Sequence, residues 1–215
     1  MRFAKKVLLP LVLVSSLSAQ DSWFVSVTHT NSFEAHTTRT LTPNDQIAAY
    51  VLSLQPIDKN VNTSHTLYGV RAGKLYDSWR VYADYDQFKH DKDKNDLADK
   101  NVDGWMVTAN ADYIYNIEVM KVLSFFAGAA VTLAGAKPEG MSSSPTPGVG
   151  GQAGIIVDVY KESDYKLSLE AGYRYLWLNI ESTGTEQIPQ TNSSIDIKTI
   201  TSSLKEPYLS INFAF

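Results

Sequence analysis

The sequence predicts an all-β protein, an eight-stranded antiparallel up-and-down transmembrane β-barrel. Three observations support this fold class: eight runs of alternating apolar and polar residues, aromatic residues near the ends of those runs, and connections that alternate between short and long. Strands of a transmembrane barrel produce such alternation because they face lipid on one side and a polar interior on the other. A chain of 215 residues can form one domain of this kind.

The eight runs have the composition and the two-residue period of β-strands. Each run contains a series of alternate residues that are apolar and uncharged, such as Tyr68, Val70 and Ala72. The runs lie near residues 22–30, 66–75, 79–88, 104–115, 122–135, 149–160, 165–178 and 204–215. An even number of strands is usual for a single-chain bacterial barrel, so the count agrees with the fold class.

The opposite face of the runs is polar and predicts an ionic network inside the barrel. Because eight strands enclose a space that side chains can fill, we expect this network to close the interior, with a narrow ion path as the alternative. Four cationic and four anionic residues would form it: Arg71, Arg80, Lys166 and Arg174, with Asp84, Asp112, Asp158 and Glu170.

The same alternation could also describe a soluble binding barrel whose apolar face points inward. Two features favour an outward apolar face. Trp105 and Tyr113 lie about 26 Å apart along one strand, which suits aromatic girdles at the two surfaces of an apolar band. Short connections at 76–78, 115–118 and 161–164 alternate with long segments at 31–64, 89–103, 136–148 and 179–203.

Residues 1–19 predict a cleaved signal peptide, which leaves a barrel domain over residues 20–215. Three cationic residues precede an apolar run at 7–14 that is too short for a membrane helix. Cleavage would move the formal charge from -4 to -7, so no basic surface for nucleic acid is expected. The chain has no cysteine, which excludes disulfides and thiolate chemistry.

The C-terminal stretch "SINFAF" continues an alternation in which Leu209, Ile211, Phe213 and Phe215 are apolar. With the predicted signal peptide and the eight runs, it resembles the small outer-membrane β-barrel superfamily of Gram-negative bacteria. That superfamily includes the transmembrane domain of outer membrane protein A and its adhesion-related, opacity-protein and porin-like relatives. The resemblance implies location in the cell outer membrane, contact with lipid and lipopolysaccharide, and recognition of these four residues by the barrel-assembly machinery. We expect a monomer.

We therefore expect a structural or surface-interaction role, such as adhesion or envelope integrity, that depends on the long loops. No enzyme activity, cofactor or metal site is predicted. None of the four histidines is followed by Ser two positions later, which excludes the His-x-Ser pair of lipid A deacylases on such barrels. A lipid A palmitoyltransferase set could be assembled only by residue type, from His36, Asp45 and Ser64.

The first long loop contains a predicted helix. Thr42 could cap it, with Pro43 at its first position and Asp45 in its first turn. We expect its apolar face to pack on the barrel rim or to enter the headgroup region, with contact to a partner protein as the alternative. That face consists of Ile47, Tyr50, Val51 and Leu54.

The second long loop begins like a calcium-binding loop, with Asp91, Asp93 and Asn95 at alternate positions. The match then fails, because Asp96 stands where Gly is required and Val102 where a bidentate Glu is required. A solvated charged loop is therefore expected. Weak divalent binding that bridges to lipopolysaccharide is the alternative.

Overall fold

The computed structural model describes residues 22–54, 60–90, 101–120, 122–162, 164–188 and 191–215. The predicted signal peptide lies outside the described residues. So does the calcium-like repeat of the second loop, at residues 91–95.

Nine strands and one short helix make up the described chain. Their bounds are β1 (Ser22–Pro43), α1 (Gln46–Leu54), β2 (Asn60–Leu75), β3 (Trp79–His90), β4 (Val102–Asn116), β5 (Leu123–Pro138), β6 (Met141–Ser143), β7 (Thr146–Lys161), β8 (Lys166–Gln187) and β9 (Ser194–Ala214). Eight strands form a closed ring in the order β1-β2-β3-β4-β5-β7-β8-β9, and every neighbouring pair is antiparallel. The three residues of β6 pair with β8 outside this ring. The predicted fold class is confirmed.

The ring closes where β1 meets β9. Trp23 and Phe215 exchange two backbone hydrogen bonds of 2.9 Å each. Short turns after β2, β4 and β7 lie at this same end of the barrel, which we call the turn end, and the opposite end is the loop end. In outer-membrane barrels the short turns face the periplasm and the longer connections face the exterior, so we expect the loop end to be extracellular.

The apolar face of the strands points outward. Side chains such as Val27, Val131 and Ile211 are more than half exposed in the isolated chain. Aromatic residues mark both edges of this surface, with Trp79 and Tyr113 toward the turn end and Trp105, Tyr68 and Trp177 toward the loop end. An apolar band between aromatic girdles is the exterior of a transmembrane barrel, so the soluble alternative with an inward apolar face is wrong.

Inward glycines make room for large inward side chains on the neighbouring strand. Gly73 lies opposite Tyr82, and a Cβ at this glycine would stand 2.2 Å from the Cβ of the tyrosine. Gly128 lies opposite Asp112, and its Cβ would stand 1.9 Å from Oδ1 of the aspartate. The small and large residues therefore alternate around the wall, as a narrow filled barrel requires.

Two of the predicted long loops are largely strand. Strand β1 stays paired with β9 as far as Pro43 opposite Ile195, and β8 stays paired with β9 as far as Gln187 opposite Ser194. This three-stranded extension, residues 37–43, 181–187 and 194–201, is called the extracellular sheet below. Segments 31–64 and 179–203 were predicted as loops because their outward residues are polar. Beyond the lipid an outward strand residue meets water, so the apolar outer face no longer marks the strand.

Helix α1 begins at Gln46, and Asp45 rather than Thr42 caps it. The Oδ1 atom of Asp45 accepts a hydrogen bond of 2.8 Å from the backbone N–H of Ala48, at the third helical position. Ile47 and Tyr50 are exposed while Ala48 is fully buried, so these two side chains do not pack on the rim. Entry of this face into the headgroup region stays a prediction. Among the described residues, no helix has the length and apolarity to cross a membrane.

Acidification should loosen α1 through this cap. Hydrogen bonds from the Ala48 amide and the Ser193 hydroxyl lower the pKa of Asp45 below its ordinary value of 3.8. The ionised carboxylate therefore stabilises the helix above that pH, and the contribution is lost as pH falls through the lowered pKa. The amide resonance of Ala48 in NMR spectra should titrate with a midpoint below 3.8. In Asp45→Asn, whose side-chain oxygen also caps, the resonance should stay constant. A wild-type midpoint above the ordinary value contradicts the cap.

Candidate functional site

The interior of the barrel is filled by two layers of side chains. The layer nearer the turn end is charged and is called the ionic layer. The layer nearer the loop end is called the apolar layer. Both consist of inward residues of the ring strands, so the alternation that exposes one face to lipid also builds the interior. The ionic layer comprises Arg71, Arg80, Arg174, Asp84, Asp86, Asp112, Glu170 and Glu206, each at most 2% exposed.

Glu170 joins two arginines in the ionic layer. Nη1 of Arg71 donates to Oε1 of Glu170 at 2.9 Å, and Arg80 donates to both carboxylate oxygens, with 3.0 Å from Nη2 to Oε1. Nε of Arg80 also donates to Oδ2 of Asp112 at 2.7 Å. Both arginines, one on β2 and one on β3, are thereby tied across the lumen to β8, and Arg80 is also tied to the neighbouring strand β4.

Arg174 binds three carboxylates. Its Nη1 donates to Oδ2 of Asp84 at 2.7 Å, and its Nη2 lies 2.8 Å from Oδ2 of Asp86. Glu206 accepts from both Nε and Nη2, at 3.2 Å and 2.9 Å, so this pair is bidentate. Asp84 also lies 3.2 Å from Nε of Arg71, which connects the two halves of the ionic layer.

Uncharged side chains complete the ionic layer. The hydroxyl of Tyr82 and the amide of Gln152 donate to Asp112 at 3.0 Å and 2.8 Å. The hydroxyl of Tyr208 donates to Glu170 at 2.9 Å. The Arg71 guanidinium lies 4.4 Å from the centre of the Tyr208 ring, within cation–π range. Buried charges are costly unless they are paired and hydrogen-bonded. Each charged group of the layer has an ion-pair partner, although Nη2 of Arg71 and Oδ1 of Asp86 make no hydrogen bond.

Six of the eight residues predicted for the interior network lie in the ionic layer. Lys166 and Asp158 do not: they form a separate pair of 2.8 Å toward the turn end, where the lysine side chain is 33% exposed. Asp86 and Glu206 were missed, although both stand on the inward face of their strands. The layer therefore holds three guanidinium groups and five carboxylates, instead of the predicted equal numbers.

The apolar layer was not predicted from the sequence, which indicated a polar interior throughout. Phe33 and Phe88 pack edge to face with ring centres 5.2 Å apart. Leucine and methionine side chains from the neighbouring strands surround them. The members are Phe33, Ala35, Leu67, Phe88, Met106, Ala130, Ala134, Leu176, Leu178, Ile180 and Leu204, all buried.

A small cavity lies in the interior, lined by described residues. Its volume is about 30 Å³, and it lies next to Arg80 on the turn-end side, between Phe24, Ile114 and Asn212. That volume holds about one water molecule. Within the described part of the chain, no three or more histidine, aspartate or glutamate side chains are arranged to hold a metal ion.

The residues of a palmitoyltransferase type are not brought together by the fold. His36 and Pro43 are joined by continuous strand and lie about 23 Å apart, and Asp45 follows just before α1. The Asp45 carboxylate is also engaged in capping α1. The side chain of Ser64 lies outside the described residues.

The four residues predicted as an assembly signal lie on the outer surface of the last strand and just beyond it. Leu209, Ile211 and Phe213 point to the exterior and are 66%, 57% and 39% exposed. Phe215 stacks on Phe213 with ring centres 5.8 Å apart. These residues therefore form part of the apolar band at the seam where the barrel closes.

Comparison with solved structures identifies the fold. The crystal structure of Neisserial surface protein A matches with a TM-score of 0.52 and 18% identity, over 88% of this chain and 95% of that one. The crystal structure of the outer membrane protein OprG from Pseudomonas aeruginosa matches with a TM-score of 0.50 and 11% identity, over 90% of this chain and 96% of that one. No protein-family model and no curated protein matches the sequence. At these identities the likeness is one of fold.

Proposed function

We propose that this chain, an outer-membrane β-barrel in its fold and its exterior, serves as a closed membrane anchor that presents an interaction surface outside the cell. The observation that carries the proposal is the filled interior. An ionic layer and an apolar layer follow each other along the axis, and both are buried. A role in transport through the lumen would require both layers to move.

The extracellular sheet and α1 supply the surface. Thr38, Thr40 and Thr42 point outward on β1, and the register places Lys198 and Asp196 of β9 beside the last two. The sheet is braced internally, since Lys198 pairs with Glu181 at 2.8 Å and Asp196 accepts from Thr185 at 2.7 Å. A braced polar sheet above the membrane suits adhesion or support of the envelope, and no catalytic step is proposed for it.

The partners follow from the same arrangement. We assign lipid and lipopolysaccharide to the apolar band, which in these barrels meets the outer leaflet at the loop-side girdle. The barrel-assembly machinery is the proposed reader of Leu209, Ile211, Phe213 and Phe215. The ring closes on itself and leaves no strand edge open within the membrane, so a monomer is proposed.

A narrow cation path is the second candidate function. The observation that favours it is the excess of carboxylates over guanidinium groups in the ionic layer, which would attract cations rather than anions. The apolar layer stands against it, because an apolar constriction of buried leucine and phenylalanine side chains opposes the passage of ions.

Single-channel recording in a planar bilayer distinguishes the two candidates. Refolded wild-type protein should give no stepwise currents. A variant with both Arg80→Ala and Asp84→Ala should also be silent, because the apolar layer remains. Folding is checked by the mobility shift on heating in gel electrophoresis, and Lys166→Ala, outside the ionic layer, is the matched control. Stepwise wild-type currents that the double substitution alters, and Lys166→Ala does not, would establish the channel instead.

A further inference from the structure

A cleft of about 340 Å³ opens on the outer wall of the barrel near the loop end. It lies between Trp105 of β4, the end of β5 and the segment around β6, and its walls include Gly135, Met141 and Pro145. Gly135 lies opposite Trp105 in the register, and a Cβ there would stand 2.9 Å from the indole. The glycine therefore allows the indole to lie against the strand and leaves the space above it open.

The cleft contains a cation that forms no ion pair with any other described residue. Lys137 lines it and is exposed. Asp103 stands opposite Lys137 in the register, but it pairs with Lys89 at 3.4 Å. Glu139 accepts a hydrogen bond from Asn101 at 2.9 Å. Among the described residues Lys137 itself takes part in no ion pair, so its charge is available to a ligand.

A hydroxyl group adds to this polar side. The Ser143 hydroxyl bonds to the backbone carbonyl of Ala136, whereas Ser142 is exposed at the mouth of the cleft. The cleft thus offers one ammonium group, one hydroxyl donor and the face of an indole. These groups suit a phosphorylated, hydroxyl-bearing ligand.

The position of the cleft along the barrel axis indicates that the phosphorylated group belongs to a lipid. Trp105 belongs to the loop-side girdle, where headgroups meet the apolar band. Below it toward the turn end, Val107, Leu133 and Val131 form an outward apolar strip, each more than 40% exposed. A lipid whose headgroup enters the cleft can thus lay its acyl chains along this strip.

We propose that the cleft binds the phosphate-bearing headgroup of an outer-leaflet lipid. Lys137 pairs with the phosphate, Ser142 donates a hydrogen bond to the headgroup, and Trp105 packs against its uncharged side. The site lies on the outside of the wall, so it does not depend on whether the interior conducts.

Native mass spectrometry of the detergent-solubilised protein tests the site, with phosphorylated lipid A as the probe. Wild-type protein should retain the lipid, and Lys137→Ala should lower its apparent affinity about fivefold, the effect expected of one lysine near an anionic surface. Lys137→Arg should retain the binding. Lys198→Ala is the matched control, because that lysine lies at the same end of the barrel, is paired with Glu181 and belongs to β9, away from the cleft. It should bind as the wild type does.

Three results would overturn the proposal. Equal losses in Lys198→Ala and Lys137→Ala would show a diffuse effect of surface charge. Equal retention of lipid A from which the phosphates have been removed would show that the acyl chains alone bind. Displacement of the lipid by millimolar inorganic phosphate would show a site for free anions.

Discussion

Replacing Arg174 with methionine should destabilise the folded barrel by about 3 to 5 kcal/mol, the usual effect of removing one partner from a buried ion pair. Arg174 is fully buried and contacts Asp84, Asp86 and Glu206. Methionine fills similar volume, so the loss comes from carboxylates left in the interior without a cation rather than from a cavity. Urea unfolding of the refolded protein in lipid vesicles, followed by tryptophan fluorescence, measures the free energy of unfolding.

Two further variants separate charge from geometry. Arg174→Lys keeps the charge but cannot form the bidentate contact with Glu206, so its stability should fall between those of wild type and Arg174→Met. Lys166→Met removes a partly exposed pair with Asp158 and should cost no more than about 1 kcal/mol. If Arg174→Met proved as mild as Lys166→Met, the ionic layer would not be a stabilising element of the closed interior.

The wall of the barrel could be predicted from the sequence because the lipid imposes a simple rule on it. Within the membrane an outward residue must be apolar, so runs such as that around Trp105 to Tyr113 show their period without any tertiary information. The inward positions are also determined by that period. Arg71, Arg80 and Arg174 could therefore be assigned to the interior before their partners were known.

The interior partners could be predicted only in part, because the choice among inward residues depends on which strands lie opposite. Glu206 precedes Pro207 at the start of the last predicted run, where the alternation alone does not show whether a residue lies in the band or above it. The apolar layer could not be predicted for a similar reason. Leu67 and Met106 stand on the polar face of their runs, and only the ring brings them together with Phe33.

The extracellular sheet was missed for a different physical reason. In its strands the outward residues are polar and the inward residues are mixed, so that Ile197 and Arg39 are both buried. A two-residue period is present in "SIDIKTIT", but its apolar side faces the sheet interior rather than lipid. An apolar outer face marks only the part of a strand that contacts lipid, so this pattern ends where the strands leave the membrane.

Ala109→Arg should destabilise the barrel by about 2 to 4 kcal/mol, because it places a charge at the lipid-facing midplane. Ala109 points outward and lies halfway between Trp105 and Tyr113, which belong to the two girdles. Its register partners Ala83 and Val131 also face outward, so no neighbouring polar group can receive the guanidinium. Urea unfolding in vesicles gives the free energy of unfolding for each variant.

Ala109→Leu and Thr42→Arg complete this experiment as controls. Ala109→Leu adds an uncharged side chain at the same site. It should leave the free energy of unfolding nearly unchanged, since a leucine side chain is favourable in lipid. Thr42→Arg adds the same charge to an outward residue of the extracellular sheet, opposite Asp196, and should change stability by no more than about 0.5 kcal/mol. A loss for Ala109→Arg alone places the apolar band in lipid. Equal effects of the two arginines would instead mean that water, and not lipid, covers the middle of the wall.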